Sequence, residues 1–380
     1  MIANPEEIPF ATRIGDYSIL DLIGFGAFSV VRIARNVQTQ RLCAVKIVPR
    51  DKVATPELEI RFETEIRVLQ QMRHPNIVQL IDLKKDNSNY YIFMENCPNG
   101  ELFQYIVNKK KLSEEEAKGF LFQIVDALKY CHSLGVVHRD MKPENILFDP
   151  ENNLKITDFG FSRFSDPNGL VNTSCGSPCY ASPEILMGIP YDGSKSDIWS
   201  TGIILYAMVT GQLPWTKKNQ AQLFEQIKNG EYKIPNFLSS ECQNLISSMI
   251  CVDPSKRLSA TQVLQHPFLH GVSDRLNQIK MNGLNMVSLH RLDQFFTRDI
   301  SEPDFGLPPD SGGLNSARAQ NFQKASKILT TFSKSGNLKR GKHGRAAVKT
   351  IFSNSMAVYT KIPPLKPERR SISVVKVVRK

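Results

Sequence analysis

Apolar residues between Tyr17 and Ile33 fall into two clusters. Tyr17, Ile19, Leu20, Leu22 and Ile23 come first, Val30, Val31 and Ile33 follow, and a glycine-bearing stretch separates them. Strand, turn and strand are predicted. Residues 41–48 read as a further half-buried strand with one lysine, Lys46, inside it. Over 57–72 the period becomes helical, with Leu58, Phe62, Ile66 and Leu69 three or four apart. His74-Pro75-Asn76-Ile77-Val78 ends that helix, because a residue before proline avoids the helical region, and it starts another strand. Tyr91-Ile92-Phe93-Met94 is apolar again and reads as a strand, with Glu95-Asn96-Cys97 following it. Beyond them Ser113 and three glutamates make an N-cap with an acidic first turn, which suits the helix dipole. The helix they start is predicted to run to about Ser133, with Phe120, Ile124, Leu128 and Cys131 on one face. Residues 196–205 are strongly apolar and predict a central helix.

From about residue 271 the periodicity weakens. Residues 302–313 are rich in Pro, Asp and Gly. From Ser333 onward Lys, Ser and Gly dominate, and disorder is the default expectation. Phe322, Ala325, Ile328, Leu329 and Phe332 nevertheless fall at helical spacing, with Lys324 and Lys327 on the flank. A basic amphipathic helix of that kind fits calmodulin, an acidic membrane or the protein's own cleft, and equally a short helix packed on the body. No internal repeat is visible.

Charge sharpens this division. The 380 residues carry a net charge of +11. Residues 271–380 hold 20 lysines and arginines against 7 acidic residues, so the basic character belongs to the tail. No aromatic interleaving or nucleic-acid reader motif accompanies it, and no nucleic acid is expected as a partner. Seven scattered cysteines without a C-x-x-C pair argue for reduced thiols and against a disulfide framework or zinc site. Cys175 and Cys179 are read as small, semi-buried residues; redox control through Cys175 is the sharper alternative. No apolar run approaches the ~20 residues of a membrane span. The acidic start has no signal-peptide core, and Ile2 excludes N-myristoylation. A place in the cytoplasm, or also the nucleus, is expected.

The chemistry gathers in one stretch, His138-Arg139-Asp140-Met141-Lys142-Pro143-Glu144-Asn145, held between Gly135-Val136-Val137 and Ile146-Leu147-Phe148. Asp158-Phe159-Gly160 follows thirteen residues later. Two carboxylates and an amide beside a glycine-rich loop are what a magnesium-nucleotide site needs: hard oxygen ligands for the metal, and one carboxylate left to orient a hydroxyl. Lys46 within a strand is expensive to bury unpaired and so calls for anions.

Taken in order, Gly24-Phe25-Gly26-Ala27-Phe28-Ser29-Val30-Val31, Ala44-Val45-Lys46, the two stretches above and Ser182-Pro183-Glu184 resemble the motif set of eukaryotic protein kinases. The resemblance covers about residues 17–269. It implies an α+β, bilobal fold: a small antiparallel β-sheet lobe with one helix over 17–96, and a large, mainly helical lobe over 97–269. Residues 1–16 would be an N-terminal extension and 270–380 a basic tail, largely disordered with short helices.

The resemblance also implies roles. Asp140 would accept the substrate hydroxyl's proton, Lys142 would contact the γ-phosphate, and Asn145 and Asp158 would hold Mg²⁺. Lys46, fixed by Glu65, would place the α- and β-phosphates of ATP. Ile23, Gly24, Phe25, Gly26, Ala27, Phe28, Ser29, Val30 and Val31 would cover the nucleotide, though Ser29 replaces the third glycine of the pattern. Val31, Ala44 and Leu147 would sandwich adenine, Met94 would be the gatekeeper, and the backbone of Glu95 and Cys97 would bind the adenine edge. Asp197 would cap the catalytic-loop backbone, and Arg257 would pair with Glu184.

Lys142 together with Ser177 is similar to serine/threonine kinases. The run around Ser174-Cys175-Gly176-Ser177-Pro178 and the 180–184 ending resemble the calmodulin-kinase-like group, near the AMP-activated-kinase relatives, with Ser182 where alanine is usual. Arg139 would pair with a phosphate on Thr173, placed by an upstream kinase or by autophosphorylation, with Ser174 as the alternative acceptor. Glu101 and Glu144 would bind a basic residue ahead of the target, and Phe161 is associated with serine over threonine. Protein substrates with Arg or Lys about three residues upstream of the serine are expected. Arg369-Arg370-Ser371-Ile372-Ser373 resembles a basophilic site, with Ser373 as acceptor. The rival reading is a pseudokinase scaffold whose basic tail is an interaction module. Only Ser29 favours it, since Lys46, Asp140 and Asp158 are all present.

Overall fold

The computed structural model describes residues 8–25, 29–159, 178–272 and 287–296, together with the backbone of 163–164 and 170–171. These belong to the first of two units, residues 1–301; the second, 302–380, lies outside the described residues.

Six antiparallel strands make the small lobe: β1 (Arg13–Ile14), β2 (Tyr17–Phe25), β3 (Val30–Asn36), β4 (Leu42–Pro49), β5 (Leu80–Lys85) and β6 (Asn89–Met94), in the order β1-β2-β3-β4-β6-β5. Alternation works as the pattern predicts. Tyr17, Ile19, Val30, Ala34, Cys43, Val45, Ile47, Tyr91 and Phe93 form one cluster, in which Tyr17 stacks on Phe93 at 3.9 Å between centroids. Residues ahead of the expected boundary at 17 contribute to the same cluster. Ile8, Phe10 and Ala11 pack on it, Asn89 donates to the Pro9 carbonyl at 2.9 Å, and Ala11 N–H donates to the Tyr91 hydroxyl at 3.1 Å.

The helix expected over 57–72 is α1 (Pro56–Gln71). Thr55 caps it by accepting from Leu58 N–H, and Met72 is already extended, two residues short of His74-Pro75. Phe62, Ile66 and Leu69 are buried, whereas Leu58 in the first turn stays exposed.

The large lobe is built on α2 (Leu102–Lys109), α3 (Glu114–Ser133), α4 (Pro183–Met187), α5 (Gly193–Thr210), α6 (Gln220–Asn229), α7 (Ser240–Met249) and α8 (Ala260–Leu264). Ser113 caps α3 as expected, accepting from Glu116 N–H at 3.2 Å. The apolar run 196–205 lies inside α5, which is buried on nearly every side, as a helix hydrophobic all round must be. Gly202 permits this. A Cβ there would sit 2.8 Å from Met249 Cβ, so only glycine lets α5 approach the end of α7 so closely.

Two short hairpin strands, β8 (Ile146–Phe148) and β9 (Leu154–Ile156), and β7 (Val136–Val137) before them frame the polar stretch 138–145. A parallel bridge from Ile77 to Ile156 ties β9 to the chain entering β5. One further helix, α9 (Leu289–Phe296), lies in the stretch expected to be tail, and its Leu292 and Phe295 are buried in the main core.

Candidate active site

Position in the sheet decides what Lys46 can reach. It sits on β4 opposite Val31 of β3 and Ile92 of β6, and its ammonium meets Glu65 of α1 at 3.0 Å. The Glu65 carboxylate raises the lysine's pKa, burial opposes it, and the charge of Asp158 raises it further. Lys46 is therefore charged and within electrostatic reach of two carboxylates from different parts of the chain.

The 138–145 loop is fixed from below. Asp197, on buried α5, accepts from His138 N–H at 3.0 Å, Arg139 N–H at 2.8 Å and the His132 ring at 2.9 Å. Burial would raise its pKa, but the His132 bond, the His132 and His138 charges and the Arg139 bond outweigh that and lower it. The expected capping role of Asp197 is what the geometry displays. His138 then ties the loop to the second motif. Its Nε2 donates to the Thr157 carbonyl at 3.0 Å, its Nδ1 accepts from Asp140 N–H at 3.3 Å, and its ring meets Phe159 edge-on at 4.9 Å. Thr157 N–H also donates to the Asn145 carbonyl at 3.0 Å. Arg139 and Asp158 both hold positive φ, 73° and 62°. Such backbone is strained for residues other than glycine, and it persists where its surroundings over-determine it.

Asp140 is the hub. Lys142 Nζ donates to its Oδ2 at 2.7 Å, and the Asn145 amide nitrogen donates to its carbonyl at 2.8 Å and to Oδ2 at 3.2 Å. Asn145 thus spends its nitrogen on Asp140, and its Oδ1 takes no part in those bonds. Acid, cation and amide stand together as the sequence implies.

On the small-lobe side Ala44 faces Met94 across the β4–β6 ladder. Val31, Met94, Cys97 and Leu147 are half-buried, and Ile23 and Phe25 are more than half exposed, 52% and 53%. These apolar side chains, from β2, β3, β8 and the end of β6, are left partly uncovered. Glu95 N–H is already bonded to the Gln79 carbonyl at 2.9 Å, so an adenine contact from Glu95 falls to its carbonyl. Among the described residues, a Cβ on Gly24 would meet only Val31 Cβ, at an ordinary 3.8 Å. Ser29 is buried. Gly26, Ala27 and Phe28 lie outside the described residues, as do Phe161, Thr173, Ser174, Cys175, Ser177, Ser373 and the amphipathic stretch 322–332.

The charge of Glu144 is felt at Glu101. Burial and then the charge of Glu144 raise the Glu101 pKa, with Lys142 opposing. Arg257 pairs with Glu184 at 2.7 and 3.2 Å in a fully enclosed, two-pronged contact. One partnership escaped the sequence. Lys155 of β9 reaches the Glu95 side chain at 2.7 Å, both of them buried, which joins the end of β6 to the strand that leads into Asp158. The signal was present: a lysine inside the apolar triplet Leu154-Lys155-Ile156 needs an anion for the same reason that Lys46 does.

Comparison with known proteins agrees with this geometry. Residues 17–269 match the family profile described as protein kinase domain. The chain is 43% identical over 255 residues to the SNF1-related protein kinase catalytic subunit alpha KIN12 of Arabidopsis thaliana, covering 67% of this chain and 51% of that protein. It is 38% identical over 297 residues to the probable serine/threonine-protein kinase HSL1 of Saccharomyces cerevisiae, covering 69% of this chain and 20% of that one. It is 37% identical over 308 residues to the carbon catabolite-derepressing protein kinase of Candida tropicalis, covering 81% and 45%. The chain spans about half the length of the first of these relatives and less of the other two.

Proposed function

The chain belongs to the protein kinase domain family, and we propose that it is a serine/threonine protein kinase that transfers the γ-phosphate of ATP to hydroxyls of protein substrates. The observation that carries this reading is the Asp140–Lys142–Asn145 cluster, stitched through His138 and Thr157 to Asp158, whose charge is felt by Lys46. The similarity to an SNF1-related protein kinase and to a probable serine/threonine-protein kinase supports it.

The residues present fit magnesium and ATP. Asn145 Oδ1 and the Asp158 carboxylate are hard oxygen donors, and Lys46 supplies a held cation. Magnesium, when bound, supplies neutralisation of the phosphate charge. The chain's own residues do the rest. Asp140 orients the substrate hydroxyl and accepts its proton as the oxygen–phosphorus bond forms and the bond to the ADP oxygen breaks. Lys142, already 2.7 Å from Asp140 Oδ2, contacts the γ-phosphate during transfer. Lys46 holds the remaining phosphates in line, Glu65 keeps Lys46 extended, and the uncovered apolar surface around Ile23, Ala44 and Leu147 takes the adenine. Such chemistry is mostly positioning and charge stabilisation.

Substrates carry a basic residue ahead of the target serine or threonine. The two carboxylates Glu101 and Glu144 crowd each other, and an incoming Arg or Lys relieves that crowding. Phosphorylation of Thr173 completes the active form through Arg139, whose backbone is pinned by Asp197.

Asp140→Asn tests the core of the reading. The variant is expected to bind magnesium-ATP as the wild type does while kcat falls by about 10³-fold or more. Wild-type turnover in that protein would refute the assignment. A peptide array run beside it reads the basic preference, which Glu101→Gln and Glu144→Gln are expected to flatten.

A further inference from the structure

Helix α1 carries Glu65 and so decides whether Lys46 is held. Its far side is covered by a segment beyond the family match, which ends at 269. Ser288 caps α9, accepting from Arg291 N–H at 3.2 Å. Its buried Leu292 and Phe295 then enter the core behind α1 and β6. Phe295 meets Tyr90 of β6 at 5.3 Å, and Phe296 meets Phe62 of α1 edge-on at 5.9 Å. Polar contacts surround this aromatic group. Buried Gln70 of α1 donates to the Val287 carbonyl at 3.0 Å. Arg67 of α1 donates to Asp293 at 2.8 Å while also bonding Glu63 at 2.8 Å. Arg291 reaches Asp82 of β5 at 2.8 Å.

At about 100° per residue, Arg67 lies about 200° round α1 from Glu65. The helix is therefore gripped on opposite sides, by Lys46 through Glu65 in front and by Asp293 through Arg67 behind. Moving α1 away from β4 would press Phe62, Arg67 and Gln70 into α9, where the packing already leaves no room. We propose that Val287 to Phe296, with Leu292, Asp293, Phe295 and Phe296 as its positioning residues, hold α1 in the place where Glu65 orients Lys46. This segment then supports phosphoryl transfer and does not inhibit it. The inference rests on the kinase reading above.

The test uses the full 380-residue chain. Phe295→Ala removes the aromatic anchor, and Asp293→Arg, at a side chain 63% exposed, reverses one charge with little risk to folding. Expected are a fall in kcat/KM for ATP of about tenfold for Phe295→Ala and about fivefold for Asp293→Arg, with KM for the peptide unchanged. Arg67→Glu combined with Asp293→Arg is expected to recover part of the loss, the signature of a direct pair, the remainder being the Glu63 bond that Arg67→Glu gives up. Amide exchange over 61–69 of α1 should quicken in Asp293→Arg while α5 stays protected. Unchanged kcat/KM, a gain in activity, or a loss without faster α1 exchange would each overturn the proposal. If the wild type itself transfers no phosphate, the kinase reading fails, and the exchange measurement alone still decides whether α9 holds α1.

Discussion

Two ion pairs in this molecule, each a glutamate with a cation, have opposite characters. Glu184 and Arg257 are enclosed, with side chains 3% and 0% exposed, and the guanidinium also donates to the Cys251 and Lys195 carbonyls and lies over the Trp199 ring at 5.0 Å. Glu65 and Lys46 share a single 3.0 Å contact, with side chains 19% and 26% exposed. The first pair has every donor assigned and no reason to move. The second keeps an ammonium available to a third party and relies on what lies behind its helix. Burial and bond count thus separate a contact that fixes the molecule from one that serves a reaction.

Removing one partner of each pair should make this plain. Arg257→Ala leaves a buried, uncompensated carboxylate and is expected to cost about 3–5 kcal/mol of stability, read by denaturant unfolding. Replacement by lysine should recover little, because the two-pronged geometry is lost. Lys46→Met should leave stability within about 1 kcal/mol but lower kcat about 100-fold, close to 3 kcal/mol of barrier. If that variant unfolds as readily as Arg257→Ala, the two pairs do not differ in kind.

Asp197 extends the comparison to pH. Its pKa is lowered from an ordinary 3.8 in the fold, so its contribution is complete above that value and lost as pH falls through the depressed one. The difference in Tm between wild type and Asp197→Asn should be flat near neutrality and shrink below about pH 4. At the small end stands the exposed pair Glu225–Lys228, 3.0 Å apart on the surface of α6. Lys228→Ala is expected to change stability by less than about 0.5 kcal/mol, and less again in high salt.

Much of this was legible beforehand because each motif has a local cause. A lysine in a strand needs an anion, a serine before three glutamates starts a helix, and a strongly apolar run must be buried. Glu65, Asp140, Asn145 and Asp197 stand where the order of motifs puts them. The contacts that escaped are those whose two halves are far apart and individually ordinary. Lys155 with Glu95 is one. Helix α9 is another, since Leu289, Leu292, Phe295 and Phe296 have helical spacing, but eight residues with His290, Arg291 and Asp293 among them carry a weak signal, and Leu289 remains exposed. Nothing local in that segment tells which surface it covers.

The N-terminal residues on the small sheet have a practical consequence. A recombinant fragment trimmed at residue 17, where the family match starts, would take Phe10 from beneath the Arg32 guanidinium, 4.3 Å away, and leave the Tyr91 hydroxyl without its Ala11 donor. Such a fragment would keep every motif and still melt early, with its sheet laid bare to other chains. Evolutionary boundaries and folding boundaries differ here by about ten residues, and expression trials should follow the second.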